Sequence, residues 1–567
     1  MKKRLIVLAI IISAGFAAVT IKLAYIMLIN HTWYVERARM QQIKTHEMPV
    51  KRGLILDRKG RELAINIDVE SIYCNPAEIN DKNTDAVVTS LARITGKKDD
   101  VIRTKISTDS RFCWIDRKVS PQSADIIRES KISGIGLIPE VKRVYPKGNL
   151  ASHIIGFVDI DNKGIEGIEQ KFDKYLTAEG EKVVSFRDAK GNMLSKGGFK
   201  EIKGNNIFLT IDEGLQYILE KNLDETVKRW RASYATAIMM DPFTGEILAM
   251  ANSPSFNPNN PAEVPPHQRK NRAITDCYEP GSTFKIVVGA AALEEGLVKP
   301  NTLYDCSAGY IEVGGRRIKD AHRHGVLTFQ EVIQKSSNVG TIKIGLSLGK
   351  ERLYDYTKRF GFGEKTGIDI IGEVAGLVRS PESWSGMSIG SISIGQEIAA
   401  TPLQVLRAYS VIANGGLLVK PYLVSEIQSP DGSSIYKAVS ETKRVISEKT
   451  ANKFNMILTT VTEVGGTAKE ASVDGNLVAG KTGTAQKFDT HTKRYSKVNY
   501  VSSFVGFVPA DKPKLAMIVV VHDPRGHIYG GVVAAPVFRK IANDALSYLE
   551  VPRDDSKEKN LLVTSTR

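Results

Sequence analysis

The sequence predicts an α+β protein: one N-terminal membrane-spanning helix, then an extended mixed α/β region, then a larger α+β domain built on an antiparallel sheet. Three observations lead to this prediction: a long apolar run near the N-terminus, alternating short strand and helix signals over residues 35–225, and strand signals at both ends of residues 235–550 with helical runs between them. A sheet built from both ends of a domain, with helices inserted between its strands, is typical of the α+β class. The length of 567 residues agrees with several folding units.

Residues 5–29 predict the membrane helix, because Lys22 is the only charge in an otherwise apolar run of bilayer-spanning length. Lys22 can extend its amine toward an interface. The basic residues within 1–4 predict a cytoplasmic tail, with the body of the protein on the other side of the membrane. A cleaved signal peptide is the alternative, but cleavage after the small residues at 13–18 would expose a second apolar stretch.

The net charge of +15 favours anionic surroundings, and basic residues crowd positions 37–61. A nucleic-acid-binding surface has a similar composition, yet an exported domain has no such partner. We therefore expect no nucleic-acid partner, and interpret this region as a solvated basic stalk near anionic envelope material.

The elements of the α/β region are predicted from their periodicity. Alternation predicts strands at 63–73 and 202–211, and amphipathic spacing predicts helices at 84–95 and 122–130. Residues 145–148 read as a turn, and Asp212 is suited to cap a helix over 212–230.

The larger domain begins with two apolar strands around a Pro/Gly turn, within residues 235–251, which predict a hairpin. Further elements are predicted as helices at 283–296, 328–348, 351–360, 401–414 and 535–549, and as strands at 501–509 and 515–522. The charged and polar residues 551–567 predict a disordered tail.

The candidate chemistry begins at Ser282 and Lys285, in a Ser-x-x-Lys motif that opens a helix. The two side chains share one helix face, and a neutral lysine is a base that can activate a serine hydroxyl. Burial and a second cation can lower the pKa of a lysine into that range. The motif alone also fits an ordinary helix-cap serine followed by a surface lysine.

Two more motifs follow in order. Ser336 and Asn338 offer a hydroxyl and an amide at the end of a helix, and the segment Lys481-Thr482-Gly483-Thr484 begins a strand. Lys481 supplies the second cation, Thr482 and Thr484 supply hydroxyls for a substrate carboxylate, and Gly483 permits a close backbone approach. The order S-x-x-K, S-x-N, K-T-G is specific to penicillin-binding proteins and class A β-lactamases.

The chain resembles a class B penicillin-binding protein, a peptidoglycan D,D-transpeptidase, most closely of the cell-division (FtsI) type. The resemblance runs from the anchor to about residue 550. It includes the R-G-x-I-x-D-R-x-G-x-x-L-A pattern at 52–64, Asn-Arg-Ala-Ile-Thr-Asp at 271–276 and Gly-Gly-Val-Val-Ala-Ala-Pro at 530–536. It implies a non-catalytic pedestal of the dimerisation type over 35–225 and a β-lactamase-like transpeptidase domain over 235–550. It also implies a bacterial cytoplasmic (inner) membrane, with the catalytic domain in the periplasm or its equivalent.

The resemblance also implies roles for the motif residues. Ser282 would attack the penultimate D-Ala carbonyl of a stem peptide, with Lys285 as its base and release of the terminal D-Ala. Ser336 would relay the proton, Asn338 would hold Lys285 and the substrate amide, and Lys481 would poise Ser336. The carboxylate would bind Thr482 and Thr484. The N–H groups of Ser282 and Thr484 would form the oxyanion hole.

No cofactor or metal is expected. The implied partners are stem peptides, β-lactams acting as substrate mimics, the lipid bilayer through residues 5–29, a membrane-embedded lipid-II polymerase (SEDS/FtsW type) and other division proteins. His322 and His324 suggest a metal site, but the sequence gives them no ligand-spaced partners, so we interpret them as surface residues. Cys74, Cys113, Cys277 and Cys306 form no C-x-x-C pair, and disulfides Cys74–Cys113 or Cys277–Cys306 both stay open.

Four alternatives remain. An elongation-type transpeptidase shares every motif. An exported serine β-lactamase or sensor needs a glutamate that activates water, and Glu373 lacks the E-x-x-L-N setting for that role. A non-catalytic envelope scaffold would have lost catalytic positions that are all present here. A bifunctional enzyme is disfavoured because the N-terminal segment carries no glycosyltransferase motif.

Overall fold

A computed structural model describes residues 2–47, 50–79, 83–108, 110–178, 182–186, 202–489, 492 and 494–553. The chain forms two compact units. The first comprises Met1–Lys51, Asp68–Val141 and Thr177–Gly204, and the second comprises Arg52–Ile67, Lys142–Leu176 and Asn205–Arg567. These units interleave along the chain, whereas the predicted pedestal and transpeptidase domains are consecutive, so those domain bounds stay a prediction. Most of the predicted tail at 551–567 lies outside the described residues.

The first unit contains the apolar N-terminal helix. The stretch Lys2–Ile29 is long and apolar enough to cross a membrane. It consists of an α-helix, Lys2–Ala24, continued by a π-helical turn, Tyr25–Ile29. The other helices of this unit are His31–Gln42, Thr84–Thr95, Asp99–Ile106 and Pro121–Ser130, with a 3₁₀ turn at Pro76–Glu78. The predicted helix at 84–95 is confirmed at the same bounds, and the one predicted at 122–130 begins one residue earlier.

The strands of the first unit are Ile43–Glu47, Cys113–Val119 and Lys182–Phe186, together with the greater part of Glu62–Cys74 and Ile135–Val144. Glu62–Cys74 confirms the strand predicted at 63–73. Its last residues pair antiparallel with Cys113–Val119, which makes Cys74 and Cys113 direct register partners. All four cysteines are free thiols, so neither disulfide considered from the sequence is present.

The second unit is organised around a five-stranded antiparallel sheet. Its order is Ala479–Asp489, Arg494–Val508, Leu515–His522, Tyr234–Met240 and Ile247–Ser253. The last two strands pair antiparallel and form the predicted hairpin. In the turn between them, the Asp241 carboxylate accepts the N–H groups of Phe243 and Thr244. Every residue of Leu515–His522 is buried, as expected for the central strand. The sheet joins strands from the start and from the later part of residues 235–550, with helices between them, which confirms the α+β prediction.

Helices from segments before, between and after these strands surround the sheet. The α-helices of the second unit are Ser152–Ile155, Gly167–Lys171, Asp173–Leu176, Glu213–Trp230, Arg272–Thr275, Lys285–Glu294, Phe329–Gln334, Asn338–Leu348, Lys350–Arg359, Ser388–Ser393, Pro402–Ala413, Glu448–Thr459, Gly530–Val533 and Ala535–Tyr548. Its 3₁₀ turns are Pro261–Glu263, Pro266–Gln268, Gly281–Phe284, Pro381–Ser383 and Lys469–Ala471. Asp212 caps Glu213–Trp230 as predicted, accepting the N–H groups of Gly214 and Leu215.

The remaining strands of the second unit are short. They are Ile55–Leu56, Asn206–Leu209, Leu303–Asp305, Tyr310–Val313, Arg316–Lys319, Val326–Thr328, Leu417–Val419, Val424–Gln428, Ser434–Lys437 and Thr442–Arg444. The strand predicted at 202–211 is confirmed in its central part, Asn206–Leu209, which pairs with Val424–Gln428 and with Ile55–Leu56.

The prediction of one helical run over 328–348 is wrong in one respect. The structure contains two helices, Phe329–Gln334 and Asn338–Leu348, separated by a tight turn. Ser336 adopts a left-handed backbone conformation with φ of 58°, which ends the first helix, and the Ser337 side chain caps the second. The polar residues 334–338 interrupt the apolar pattern here, and the helix end predicted at Ser336 is present.

Candidate active site

The first motif lies on a buried turn and the helix that follows it. Ser282 belongs to the 3₁₀ turn Gly281–Phe284, and Lys285 is the first residue of the α-helix Lys285–Glu294. The turn is fixed from several sides. Its Thr283 hydroxyl donates to the Pro280 carbonyl at 2.7 Å, and the Tyr409 hydroxyl donates to the Thr283 carbonyl at 3.0 Å. A serine on such a turn is held in place before any substrate arrives.

Lys285 connects the first motif with the second. Its side chain is fully buried. The Nζ atom lies 2.7 Å from the Ser336 carbonyl oxygen, 2.8 Å from Asn338 Oδ1 and 3.3 Å from Ser336 Oγ. The predicted contact between Asn338 and Lys285 is therefore present. The structure brings together two motifs that lie more than fifty residues apart in the sequence.

Burial lowers the pKa of Lys285 to about 7, and the negative charge of Asp320 opposes this shift. A neutral lysine has two N–H groups and one lone pair. The Ser336 carbonyl and Asn338 Oδ1 are acceptors only, so they take the two N–H groups. The lone pair stays available for the proton of a serine hydroxyl, which is what a general base requires.

The strained turn at Ser336 presents its carbonyl and hydroxyl on the same side. The N–H groups of Ser336 and Ser337 donate back to the carbonyls of Ile333 and Val332, at 3.2 and 3.0 Å. A left-handed serine is uncommon and persists only where its surroundings hold it. Here the conformation places both Ser336 oxygens within reach of the Lys285 amine.

The third motif lies on the edge strand of the main sheet. Ala479–Asp489 pairs with Arg494–Val508, and Lys481 is its third residue, so the motif starts just inside the strand. Lys481 is fully buried, and its Nζ lies 3.4 Å from Thr482 Oγ1. Burial, with the charge of Lys285 as a second cause, lowers the pKa of Lys481 far below its usual value. The charge of Lys285 therefore acts on Lys481, whereas the lowering of the Lys285 pKa by a second cation stays a prediction.

Gly483 is required by packing inside the protein. A Cβ atom there would lie 2.4 Å from Ser503 Oγ, 3.0 Å from Thr283 Cγ2 and 3.2 Å from the Pro280 carbonyl. The glycine thus lets the strand lie directly against the turn Gly281–Phe284, which carries Ser282. The close approach that we predict between Gly483 and substrate backbone stays a prediction.

The hydroxyls of the third motif are also placed by neighbours. The Thr484 hydroxyl accepts the Gly530 N–H at 3.0 Å, and Thr482 Oγ1 lies 3.2 Å from Thr467 Oγ1. Gly530 belongs to the Gly-Gly-Val-Val stretch that carries part of the family resemblance, but the sequence gives no signal that it touches Thr484.

One cleft of about 1000 Å³ joins the three motifs, and Ser282, Ser336, Asn338, Thr482 and Thr484 line it. Its other walls include side chains that the sequence does not assign to the site, namely His322, His324, Lys335, Thr467, Lys469, Glu470, Tyr500 and Tyr529. The two histidines, interpreted above as surface residues, are therefore part of the cleft wall. No group of three or more metal-ligating side chains occurs within the described part of the chain.

Glu373 has a structural role away from these walls. Its carboxylate accepts the N–H and hydroxyl of Thr366, at 2.7 and 2.5 Å, and the N–H of Gly367 at 3.1 Å. A carboxylate engaged in this way closes its own loop and does not activate water beside Ser282.

Two family models match the chain. The Penicillin binding protein transpeptidase domain covers residues 235–543, and the Penicillin-binding Protein dimerisation domain covers residues 47–209. The first alone spans more than half of the sequence. The chain belongs to the class B penicillin-binding proteins.

Similar proteins extend over nearly the whole of this penicillin-binding protein. It is 34% identical over 541 residues to peptidoglycan D,D-transpeptidase FtsI of Escherichia coli K12, covering 94% of this chain and 90% of that one. It is 35% identical over 579 residues to stage V sporulation protein D of Bacillus subtilis 168, covering 100% and 89%. A crystal structure of penicillin-binding protein 3 from Mycobacterium tuberculosis with aztreonam matches with a TM-score of 0.71 and 28% identity, covering 90% and 98%.

Proposed function

We propose that this penicillin-binding protein cross-links peptidoglycan stem peptides through an acyl-enzyme on Ser282. The observation that carries the proposal is the buried amine of Lys285, three residues from Ser282 and hydrogen-bonded to Ser336 and Asn338, with a pKa lowered to about 7. A buried lysine with a lowered pKa, three residues after a serine on a fixed turn, suits nucleophilic catalysis. The names of its relatives, peptidoglycan D,D-transpeptidases, support the same activity.

Acylation begins when neutral Lys285 accepts the hydroxyl proton of Ser282 as Oγ attacks the carbonyl carbon of the penultimate D-Ala. The negative oxygen of the tetrahedral intermediate binds the N–H groups of Ser282 and Thr484. Loss of one such donor typically costs about 2.7–4 kcal/mol of transition-state stabilisation. These assignments rest on the motif order and the geometry above.

Collapse of the intermediate breaks the bond to the terminal D-Ala. Ser336 donates its hydroxyl proton to the leaving amine and regains a proton from Lys285, whose Nζ lies 3.3 Å from Ser336 Oγ. Lys481 favours negative charge on Ser336, and Thr482 and Thr484 bind the terminal carboxylate. The products are free D-Ala and an ester on Ser282.

Deacylation uses the amine of a neighbouring stem peptide, which attacks the ester and leaves an amide cross-link with Ser282 regenerated. β-Lactams acylate the same serine, and a leaving group that stays tethered keeps the ester in place. Aztreonam and ampicillin are the compounds bound in the crystal structures of the mycobacterial relative.

In the cell, this penicillin-binding protein is a single-pass inner-membrane protein anchored by the apolar helix. We place the N-terminus in the cytoplasm and the cleft in the periplasm, with a septal role in cell division. The partner proposed for the anchor is a membrane-embedded lipid-II polymerase. The small residues Ala14, Gly15, Ala17 and Ala18 permit close helix approach. Replacing Gly15 with leucine should lower co-purification of that polymerase, whereas an unchanged yield would place the contact elsewhere.

The decisive experiment is labelling of membranes that contain the full-length protein with a fluorescent penicillin. Wild type should give a covalent band near its mass of 62.3 kDa. Ser282→Ala should give none, while Ser347→Ala, on the helix Asn338–Leu348, should label normally. A slowly fading band supports a transpeptidase and a rapidly fading one a β-lactamase. Absence of a band in folded wild type would overturn the catalytic assignment in favour of a scaffold.

A further inference from the structure

The helix that carries the second motif is held at its start by a carboxylate from another segment. Asp320 directly follows the strand Arg316–Lys319. Its Oδ1 accepts the N–H groups of Asn338 and Val339, the latter at 3.0 Å, and its Oδ2 accepts the Ser337 hydroxyl at 2.8 Å. One carboxylate thus satisfies three donors around the first turn of the helix, which otherwise lack intrahelical partners.

The backbone beside Asp320 also fixes the Asn338 side chain. Asn338 Nδ2 donates to the Lys319 carbonyl at 2.9 Å, and Oδ1 accepts from Lys285 Nζ at 2.8 Å. Because the carbonyl of Lys319 can only accept, the amide group keeps its oxygen toward the lysine. The segment Lys319–Asp320 therefore controls the orientation of one of the three Lys285 partners and the position of the helix that bears it.

The charge of Asp320 acts in the same place. It lies close enough to Lys285 to oppose the pKa-lowering effect of burial. The negative charge also interacts favourably with the N-terminal end of the helix Asn338–Leu348. The other titratable groups around this amine are Lys481, whose interaction with Lys285 is described above, and those on the cleft walls, His322, His324, Lys335, Lys469 and Glu470.

We propose that Asp320 is a positioning residue for the general base: its carboxylate locks the start of the helix Asn338–Leu348, so that Asn338 and Ser336 hold the Lys285 amine beside Ser282. This inference rests on the proposed acylation of Ser282. It adds a fourth element to the three motifs, one that does not itself touch the reacting atoms. The sequence gives no sign of this role, because Asp320 lies in a loop eighteen residues before Asn338.

The test uses the detergent-solubilised full chain and the second-order rate of acylation by a fluorescent penicillin, measured against pH. Asp320→Ala removes all three acceptor contacts, and we expect a loss of about 10- to 100-fold in rate, comparable to part of a general-base contribution. Asp320→Asn keeps an oxygen for the two N–H groups but loses the charge and the acceptor for the Ser337 hydroxyl. It should retain more activity than Asp320→Ala.

The pH profile separates positioning from mere stability. Without the negative charge, protonated Lys285 is less favoured, so Asp320→Asn should move the acid limb of the profile to lower pH by about half a unit or more. Asp305→Asn is the matched control. Asp305 ends the strand Leu303–Asp305, and its Oδ1 accepts the Ser307 N–H at 2.9 Å and the Ser307 hydroxyl at 2.5 Å, so this variant should leave both rate and profile unchanged.

Two results would overturn the inference. One is wild-type rate and wild-type acid limb in both Asp320 variants. The other is a melting temperature below that of wild type, combined with the wild-type acid limb and the wild-type rate per folded molecule. That result would make Asp320 purely structural. Failure of the proposed function itself is distinguishable, because in that case folded wild type would not acylate at all.

Discussion

Two groups of buried cations in the second unit are compensated in opposite ways. In one, the guanidinium groups of Arg52 and Arg143 donate hydrogen bonds to the carboxylate of Glu169, at 2.5 and 2.7 Å. Arg52 also donates to the carboxylate of Asp173 at 2.7 Å. In the other, Lys285 and Lys481 are equally buried, but the hydrogen bonds described for their amines go to hydroxyl, carbonyl and amide oxygens.

The pKa values respond accordingly. Burial acts to lower the pKa of Arg52, but the charges and hydrogen bonds of Glu169 and Asp173 outweigh it, and the pKa rises. For Lys285, burial prevails over the opposing charge of Asp320, and the pKa falls to about 7. A buried cation with carboxylate partners stays charged and contributes to structure, whereas one without them becomes a usable base.

The largest expected effect on acylation comes from replacing Lys285 with a side chain that always carries a positive charge. Lys285→Arg cannot become neutral at any accessible pH, so acylation by a fluorescent penicillin should fall by at least about 10³-fold. Lys343→Arg, on the helix Asn338–Leu348, should acylate at the wild-type rate. If the Lys285→Arg variant were still acylated at a substantial rate, another group would take the Ser282 proton. The contrast between the arginine cluster and the lysine cluster would then have no functional meaning.

Breaking the compensated cluster should instead cost stability. Glu169→Gln leaves two buried arginines without their shared anion, and removing one partner of a buried ion pair typically lowers the free energy of unfolding by about 3–5 kcal/mol. Denaturant titration of the full chain in detergent measures this loss. Glu166→Gln serves as the control, since Glu166 binds Arg269 at 3.0 Å in a half-exposed position. A loss no larger than that of Glu166→Gln would contradict the prediction.

A smaller change in the acylation rate should follow from a change of pH alone. Below the Lys285 pKa of about 7, the acylation rate should fall tenfold per unit as the base becomes protonated, and above it the rate should level off. The same shift predicts that the Lys285 contribution to folding free energy decreases as pH drops from the usual lysine value of 10.5 toward 7, because only the unfolded chain takes up the proton over that window. An acid limb near 10 would show that burial does not govern this amine.

The smallest effect is expected for an exposed pair. Arg539 and Asp474 lie 2.8 Å apart with 40% and 52% of their side chains exposed. Asp474→Asn should lower the free energy of unfolding by less than about 1 kcal/mol, since exposed ion pairs are screened by water and salt. A loss as large as that of Glu169→Gln would show that distance alone, without burial, sets the strength of these pairs.

Much of the fold could be predicted because its signals are local. The hairpin around Asp241, the helix capped by Asp212 and the strand at Leu515–His522 each follow from periodicity and turn chemistry within one segment. The left-handed conformation of Ser336 could not, because it is held by tertiary contacts that no window of sequence contains.

The site divides in the same way. The motifs at Ser282, Ser336 and Lys481 were visible as residue types at fixed spacing. The contacts of Asp320 with Asn338 and of Gly530 with Thr484 were not, since each joins residues far apart along the chain.

The sequence by itself determined the candidate membrane anchor, the α+β class and the candidate reactive residues, because apolar length, periodicity and motif spacing are properties of contiguous chain. Only the tertiary structure decided the surroundings that lower the pKa of Lys285 to about 7. That shift depends on complete burial between the turn Gly281–Phe284, the helix Asn338–Leu348 and the strand Ala479–Asp489, and burial is set by segments that meet only when the chain folds.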